Sequence, residues 1–319
     1  MTSHYDTAII GGGAAGMSAA LVLARALRRV VVIDAGEPRN APARHMHGYL
    51  SRDGLPPSEL LEIGRHEVLG YGATMLADAV RSLSRDDAGF HLRTDAGTAV
   101  SARRVVLATG LRDVIPAIEG VRELWGRDVL HCPYCHGHEV RGRRLGVLGN
   151  TPGAVQHALI IRQWSDHVTY FSQGQTLAAS DVERLAARDI RVVQQSVVKL
   201  VVEDHRLAGL ELTDGSVTRC EVVFVRPVFE PNTDLLRMVG AELDDGGLPY
   251  VDSTGQTTVR GLWVAGNAGN VRAQVITAAG EGSAAAIAIN NDLVDEDIAT
   301  ALAARHAAVP APVSEPNRK

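Results

Sequence analysis

At 319 residues, with 45% hydrophobic and 22% charged residues, the chain has room for two domains or one large α/β domain of ordinary globular composition. A net charge of −5 with no block of Lys or Arg excludes an electrostatic footprint for nucleic acid or an anionic membrane surface. Three cysteines are too few for a disulfide framework, and no apolar run reaches transmembrane length.

In chain order, Asp6-Thr7-Ala8-Ile9-Ile10 reads as a short buried strand, and Gly11-Gly12-Gly13-Ala14-Ala15-Gly16 follows it directly. The apolar run passes so quickly into glycines that no signal peptide is expected, and a cytoplasmic location follows as the expectation. Met17–Arg28 has helical composition, and Val30–Ile33 is a second buried strand that ends at Asp34. Strand, glycine turn, helix, strand and acid together form the context that a dinucleotide fingerprint requires. Gly11 makes the tight turn, Gly13 lets a pyrophosphate reach the backbone, and Gly16 lets the helix pack closely. The helix N-terminus faces the phosphates, and Asp34 stands where a carboxylate takes ribose hydroxyls. The bland alternative for Asp34 is an ordinary strand-end acid.

From Gly36 to Pro57 the chain is loop-like. Arg39 and Asn40 are candidates for bonding the cofactor's phosphates or ring, with a solvated loop as the equal alternative. A helix over Ser58–Gly70, capped by Ser58, precedes a β-rich run from Thr74 to Val80. Phe90–Thr94 and Ala99-Val100 read as strands joined by Asp95-Ala96-Gly97. Arg104–Ala108 reads as a further buried strand ending in Thr109-Gly110. Such an ending brings backbone to a ligand at the carboxyl edge of a sheet.

The chemistry is read from His131-Cys132-Pro133-Tyr134-Cys135-His136-Gly137-His138. Two thiols spaced Cys-x-x-Cys either cycle electrons or hold a metal. Zinc would want four ligands, and Cys220 falls in a β-rich run where it reads as core, so no metal site is expected. Attachment of a c-type haem would need a small exported domain, which is not visible. A glutaredoxin-type Cys-Pro-Tyr-Cys would head a long helix, which Gly137 and the charged stretch Arg141–Arg144 break. A redox-active pair remains. His136 is the first candidate for the base that takes protons from an incoming dithiol. His138 and His131 come after it, and His45 and His47 rank lower.

Arg144–Leu148 opens a second strand–turn–helix unit, with the turn Gly149-Asn150-Thr151-Pro152-Gly153-Ala154, a helix over Ala154–Trp164 and a strand over Val168–Phe171. Ser180-x-x-Glu183 reads as a capping box, and several strands run from Ile190 to Phe224. Gly261–Asn267 is again strand then glycine, leading into a small-residue helix over Gln274–Asn290. Trp164 and Trp263 read as packing residues, and His157 and His167 as surface. The tail 305–319, with Pro310, Pro312 and Pro316, is expected to be disordered.

With these landmarks in this order, the chain from Tyr5 to Leu293 resembles the low-molecular-weight thioredoxin reductase family of flavoproteins. The resemblance implies an α/β fold of two Rossmann-like, three-layer domains. Residues 1–110 with 243–295 would bind FAD, and 111–242 would form a degenerate NAD(P)H-binding-like domain carrying the cysteines. FAD would be contacted by Gly11, Gly13, Ala14, Ala15, Gly16, Asp34, Val80, Ala108, Thr109, Gly110, Gln274 and Val275. Asn267 stands where the family carries an Asp that bonds the ribityl chain, and an amide can still bond a hydroxyl. Cys135 would be the sulfur facing the flavin, and Cys132 the interchange sulfur that meets substrate. A homodimer is also implied. Thioredoxin reductases carry an Asp directly after the second cysteine, where this chain has His136.

The second nucleotide motif departs from the family's Gly-x-Gly-x-x-Ala, reading Gly149, Thr151, Ala154, and a side chain at Thr151 crowds the place where pyrophosphate meets backbone. Where the family carries a His-Arg-Arg cluster and a further Arg for the 2′-phosphate, this chain has Ser172-Gln173-Gly174 and Ala178. Arg226-Pro227-Val228-Phe229 also stands where the family tends to have a glycine. NADPH binding is expected to be lost or weak. Retained FAD residues, a failing second site, and Cys132, Cys135, His136, Gly137 and Glu139 in Cys-x-x-Cys-His-Gly-x-Glu resemble one subgroup. It comprises the dithiol oxidases that close the disulfides of gliotoxin and holomycin. The expected activity is oxidation of a small-molecule dithiol through FAD, with O₂ as acceptor and H₂O₂ as product, and with no nucleic-acid or membrane partner. The alternatives are an NAD(P)H-dependent thioredoxin or disulfide reductase, and a flavin redox sensor without turnover. With no NADPH to admit, the two domains are expected to stay in the flavin-oxidising arrangement.

Overall fold

The computed structural model describes residues 3–307. The first unit runs β1 (Ser3–Ile10), α1 (Ala14–Arg25), β2 (Val30–Asp34), α2 (Pro57–Gly70), β3 (Thr74–Ala77), β4 (Val80–Asp86), β5 (Gly89–Thr94) and β6 (Ala99–Leu107). β1 and β2 pair in parallel, as apolar runs buried on both faces do. The sheet order is β3-β2-β1-β6-β5-β4, and Ile10 stands level with both Ile33 and Leu107. That register gathers the carboxyl ends of the central strands at one edge.

β6 is one continuous strand, where two separate strands were expected on either side of Ser101–Arg103. Arg104 can remain inside it because Asp292 and Glu296 take its guanidinium. The length of β6 lets it serve two neighbours on one side: Ala99–Ala102 pair with β5, and Val105–Leu107 with a strand from the end of the chain.

The chain then crosses to a second unit through β7 (Leu111–Val114). There follow α3 (Val121–Leu124), β8 (Val129–Leu130), α4 (Pro133–His136), β9 (Leu145–Leu148), α5 (Ala154–Ile161), β10 (Val168–Phe171), α6 (Ala179–Ala186) and β11 (Arg191–Val193). An antiparallel meander of β12 (Val197–Glu203), β13 (Arg206–Leu212) and β14 (Val217–Arg219) precedes β15 (Val222–Phe224). The parallel sheet β11-β10-β9-β15-β8 packs α5 and α6 on one face through Tyr170, Phe224, Ile161 and Leu185. The meander lies on its other face, through Phe171, Leu148, Leu210 and Leu212. Each unit is a Rossmann-like α/β layer structure.

β16 (Val228–Pro231) pairs antiparallel with β7 and carries the chain back, followed by α7 (Asp234–Met238), β17 (Leu262–Val264) and α8 (Val275–Ala307). Leu235 and Leu236 of α7 are buried with Leu83, Phe90 and Val259 of the first unit. The return therefore falls at 231–232 and not at 242–243, because the apolar side chains just past β16 already belong to the first core.

The helix ends differ from expectation where caps were expected. α2 starts at Pro57 with Pro56 before it, and Ser58 makes no cap. α6 starts at Ala179 after Ala178, with no side-chain cap bond, so the Ser180 capping box does not form. α5 ends at Ile161 rather than Trp164. α8 runs to Ala307, far past Asn290, because Asp292, Glu296 and Asp297 along it pair with Arg104, Arg103 and Arg28. Residues 305–307 of the expected disordered tail are thus helical, and the remainder, with its three prolines, lies outside the described residues. No described helix is long and apolar enough to cross a membrane.

Candidate active site

At the first turn, Gly11 has φ +103°, and a Cβ there would lie 2.4 Å from the Ala108 carbonyl oxygen. A Cβ on Gly16 would lie 1.9 Å from the Gly11 oxygen. Only glycine permits either approach. Gly13 has nothing within 4 Å of its Cβ position and precedes α1 with no side-chain cap, so the N–H end of the helix at Ala14 and Ala15 is open. Asp34, at the end of β2, accepts the Gly12 N–H at 2.9 Å with one oxygen and faces Arg65 at 3.4 Å with the other. Open backbone, an unspent helix terminus and a carboxylate at the strand end fit a dinucleotide such as FAD.

Ala108, Thr109 and Gly110 continue β6 at the same edge. Gly110 has φ +67°, and Thr109 exchanges bonds with Asn232, donating at 2.7 Å and accepting at 2.9 Å. Gln274 and Val275 sit half-buried at the start of α8, which lies so close to α1 that a Cβ on Gly282 would be 2.0 Å from the Ala15 oxygen. Val80 packs against the first core. Asn40 shows only a backbone turn, with its carbonyl accepting the Ala43 N–H. The Asn267 amide donates to Asn270 and Ala273 carbonyls, both at 2.9 Å, and its oxygen accepts from Arg39 at 3.1 Å. Arg39 itself is held by Asp113.

Cys132 and Cys135 form a disulfide with Cα atoms 5.3 Å apart. Cys132 caps α4, its sulfur accepting the Cys135 N–H at 3.2 Å, and Pro133 takes the first helical position, where its missing N–H costs nothing. Tyr134 is exposed and meets Trp164 edge-on at 5.7 Å.

Four histidines surround this loop. Burial holds His136 below its ordinary value of 6.5, His47 adds to that, and Glu139 opposes it. His138 is exposed, and its carbonyl accepts from Arg141. Burial pushes His131 and His157 down to about 4. His157 is not a surface residue as expected: α5 turns it inward, edge-on to Phe224, where its Nε2–H donates to the His131 carbonyl at 2.9 Å. Its Nδ1 is buried without a partner.

His45 contacts the Gly54 carbonyl at 3.0 Å. His47 stands 3.4 Å from Asp53 and 3.6 Å from Glu139, which brings the loop after β2 against the cysteine motif. No local pattern could have shown this, since His47 and Glu139 come from different units.

The second turn is built differently. A Cβ on Gly149 would lie 2.5 Å from the Tyr170 hydroxyl, and one on Gly153 2.2 Å from Arg226 Nη1. Asn150 Nδ2 and Thr151 Oγ1 donate to the Arg226 carbonyl at 3.2 and 3.4 Å. Ser172 is fully buried and donates to the Gln194 carbonyl. Gln173 accepts the Val197 N–H at 3.0 Å, with its Nε2 buried and unpartnered. The side chains where a pyrophosphate and a 2′-phosphate would sit are engaged by the chain itself.

Comparison with known proteins shows the family. The family model for pyridine nucleotide-disulphide oxidoreductases matches residues 5–282. The chain is 34% identical over 277 residues to thioredoxin reductase tcpT of Claviceps purpurea, covering 83% of this chain and 86% of that one. With thioredoxin reductase sirT of Leptosphaeria maculans the identity is 30%, covering 93% and 97%. Among solved structures, HlmI matches with a TM-score of 0.93 at 51% identity, covering 97% of this chain and 99% of its own. A putative thioredoxin reductase TrxB from Bacillus anthracis matches at 0.87 and 31%, covering 92% and 99%. The chain belongs to the pyridine nucleotide-disulphide oxidoreductases, as a thioredoxin reductase-like, flavoprotein-type oxidoreductase enzyme.

Proposed function

We propose that this enzyme oxidises a small-molecule dithiol to a disulfide through Cys132 and Cys135, with O₂ as the final acceptor. The observation that carries the reading is the second nucleotide turn, where Thr151 replaces a glycine and donates to the Arg226 carbonyl while Ser172 and Gln173 bond inward at the next strand end, beside a first turn open at Gly13. Electrons then enter from the dithiol and not from a nicotinamide.

A substrate thiolate attacks Cys132 Sγ, breaking the Cys132–Cys135 bond and leaving a Cys135 thiolate. The second substrate thiolate attacks the substrate sulfur of that mixed disulfide, closing the product S–S bond and releasing Cys132. The substrate loses two electrons and the protein pair gains them. His136, kept neutral by burial, offers a ring nitrogen to one departing proton, and the second follows to the released thiolates. FAD, held by Gly11, Gly13, Gly16, Asp34 and the N-terminus of α1, would take the electron pair and deliver it to O₂, giving H₂O₂.

The names of the relatives favour a second reading, a nicotinamide-dependent thioredoxin reductase. An anaerobic titration of flavin absorbance separates the two. Bleaching by dithiothreitol with recovery in air, and none by NADPH or NADH, supports the oxidase. Rapid bleaching by either nucleotide establishes the reductase.

A further inference from the structure

Arg39, in the loop after β2, engages all three nitrogens of its guanidinium. Nε and Nη2 donate to the two carboxylate oxygens of Asp113 at 2.7 and 2.6 Å, and Nη1 donates to Asn267 Oδ1 at 3.1 Å. The guanidinium also lies over the Phe229 ring, 5.3 Å from its centroid. Asp113 and Phe229 are register partners across β7 and β16. Directly opposed residues of an antiparallel pair project to one side, and these two strands are the ones by which the chain leaves and re-enters the first unit. One side chain therefore grips both strands of the crossing ribbon and ties them to the first unit at Asn267.

Contacts continue from there to the cysteines. Phe229 meets His131 edge-on at 5.7 Å, His131 lies 6.4 Å from Trp125, and Cys132 is the next residue. Further along the Arg39 loop, Pro42 sits against the second unit so closely that a Cβ on Gly126 would lie 2.8 Å from it. The ribbon's base is a natural pivot, with Gly110 at φ +67° accepting the Asn232 N–H at 3.0 Å.

We infer that Arg39 is a positioning residue: by clamping the ribbon at Asp113 and Phe229 it sets the angle between the units and holds the Cys132–Cys135 pair toward the first dinucleotide turn. Its catalytic consequence rests on the proposed path from the cysteines to a flavin. A bidentate carboxylate grip with an aromatic face is a task for the planar fork of Arg that a Lys ammonium does not reproduce.

The test compares wild-type, Arg39→Lys and Asp113→Asn enzymes, each loaded with FAD. Small-angle scattering of the wild type should fit the clamped arrangement, and both variants should give altered or mixed profiles. On anaerobic mixing with dithiothreitol, reduction of the cysteines (trapped by alkylation and mass measurement) should keep its wild-type rate. Flavin bleaching should slow by ~100-fold, the scale at which small misplacements act, with FAD content unchanged. Wild-type scattering and bleaching in both variants would overturn the clamp, as would a parallel loss of FAD and of both rates, which marks a general scaffold role. If the wild type is not bleached by dithiol at all, the proposed oxidation fails, and the scattering comparison alone decides the clamp.

Discussion

A methyl group at Gly137 would lie 2.6 Å from the Trp164 ring and 2.5 Å from the Pro133 carbonyl oxygen. Neither neighbour is a flexible side-chain end, so Gly137→Ala must shift the turn that presents the cysteines. The expected result is a loss of ~1–3 kcal/mol in stability, together with slower flavin bleaching by dithiol at unchanged FAD content. Thermal melting and rapid mixing read the two effects. His136 makes a separate prediction. A proton acceptor must be neutral, and burial keeps this imidazole neutral to a lower pH than 6.5. The rate of disulfide exchange should therefore hold through pH 6.5 and fall only as the pH drops through the depressed value. His136→Asn should remove that acidic limb and slow exchange by ~10²–10⁴-fold. An intact limb in the variant would move the base to another group, with His138 the nearest by sequence.

At the scale of elements, α5 and the end of β8 are joined through two half-buried histidines, and the pair gives the fold a pH dependence. His131 and His157 titrate at about 4 in the folded chain against an ordinary 6.5. Between those values the unfolded chain binds more protons, so stability is full above 6.5 and is lost as the pH falls toward 4. Each histidine accounts for at most about 3 kcal/mol of that loss. His157→Phe should make melting temperature less sensitive to pH over this window, and an unchanged slope would refute the assignment.

The same joint shows what a sequence can carry. Gly11, Gly13, Gly16 and Asp34 were legible because one turn and its flanking strands dictate their geometry. So was the Cys132-x-x-Cys135 spacing of a redox pair, though not the short helix α4 that Cys132 caps. The inward turn of His157, the length of α8 and the survival of β6 through Arg104 were not legible, because their partners are the His131 carbonyl, Arg103 and Asp292 on distant elements. Ser58 and Ser180 misled in the opposite direction. Both have cap chemistry, yet the helices begin before them, at Pro57 and Ala179, where no side chain caps.

Across the whole molecule, two units of the same plan carry different turns, and on the proposed reading the first is open and the second closed by its own chain. The closure has two parts that can be tested apart. Thr151 and Arg226 crowd the turn itself, while Ser172 and Gln173 are drawn into the core at the next strand end, leaving Ser172-Gln173-Gly174 without a cation. Replacing Thr151 and Arg226 together by glycine should reopen the pyrophosphate place but supply nothing for a 2′-phosphate, since a dianion needs Arg or Lys donors at hydrogen-bond range. The double variant should then gain binding of NADH, seen as a change in nicotinamide fluorescence, with NADPH bound no more tightly. Preferential binding of NADPH would show that cations elsewhere in the second unit reach the ribose. Failure to bind either nucleotide would place the obstruction at Ser172-Gln173, whose inward bonds brace β10 against the start of β12.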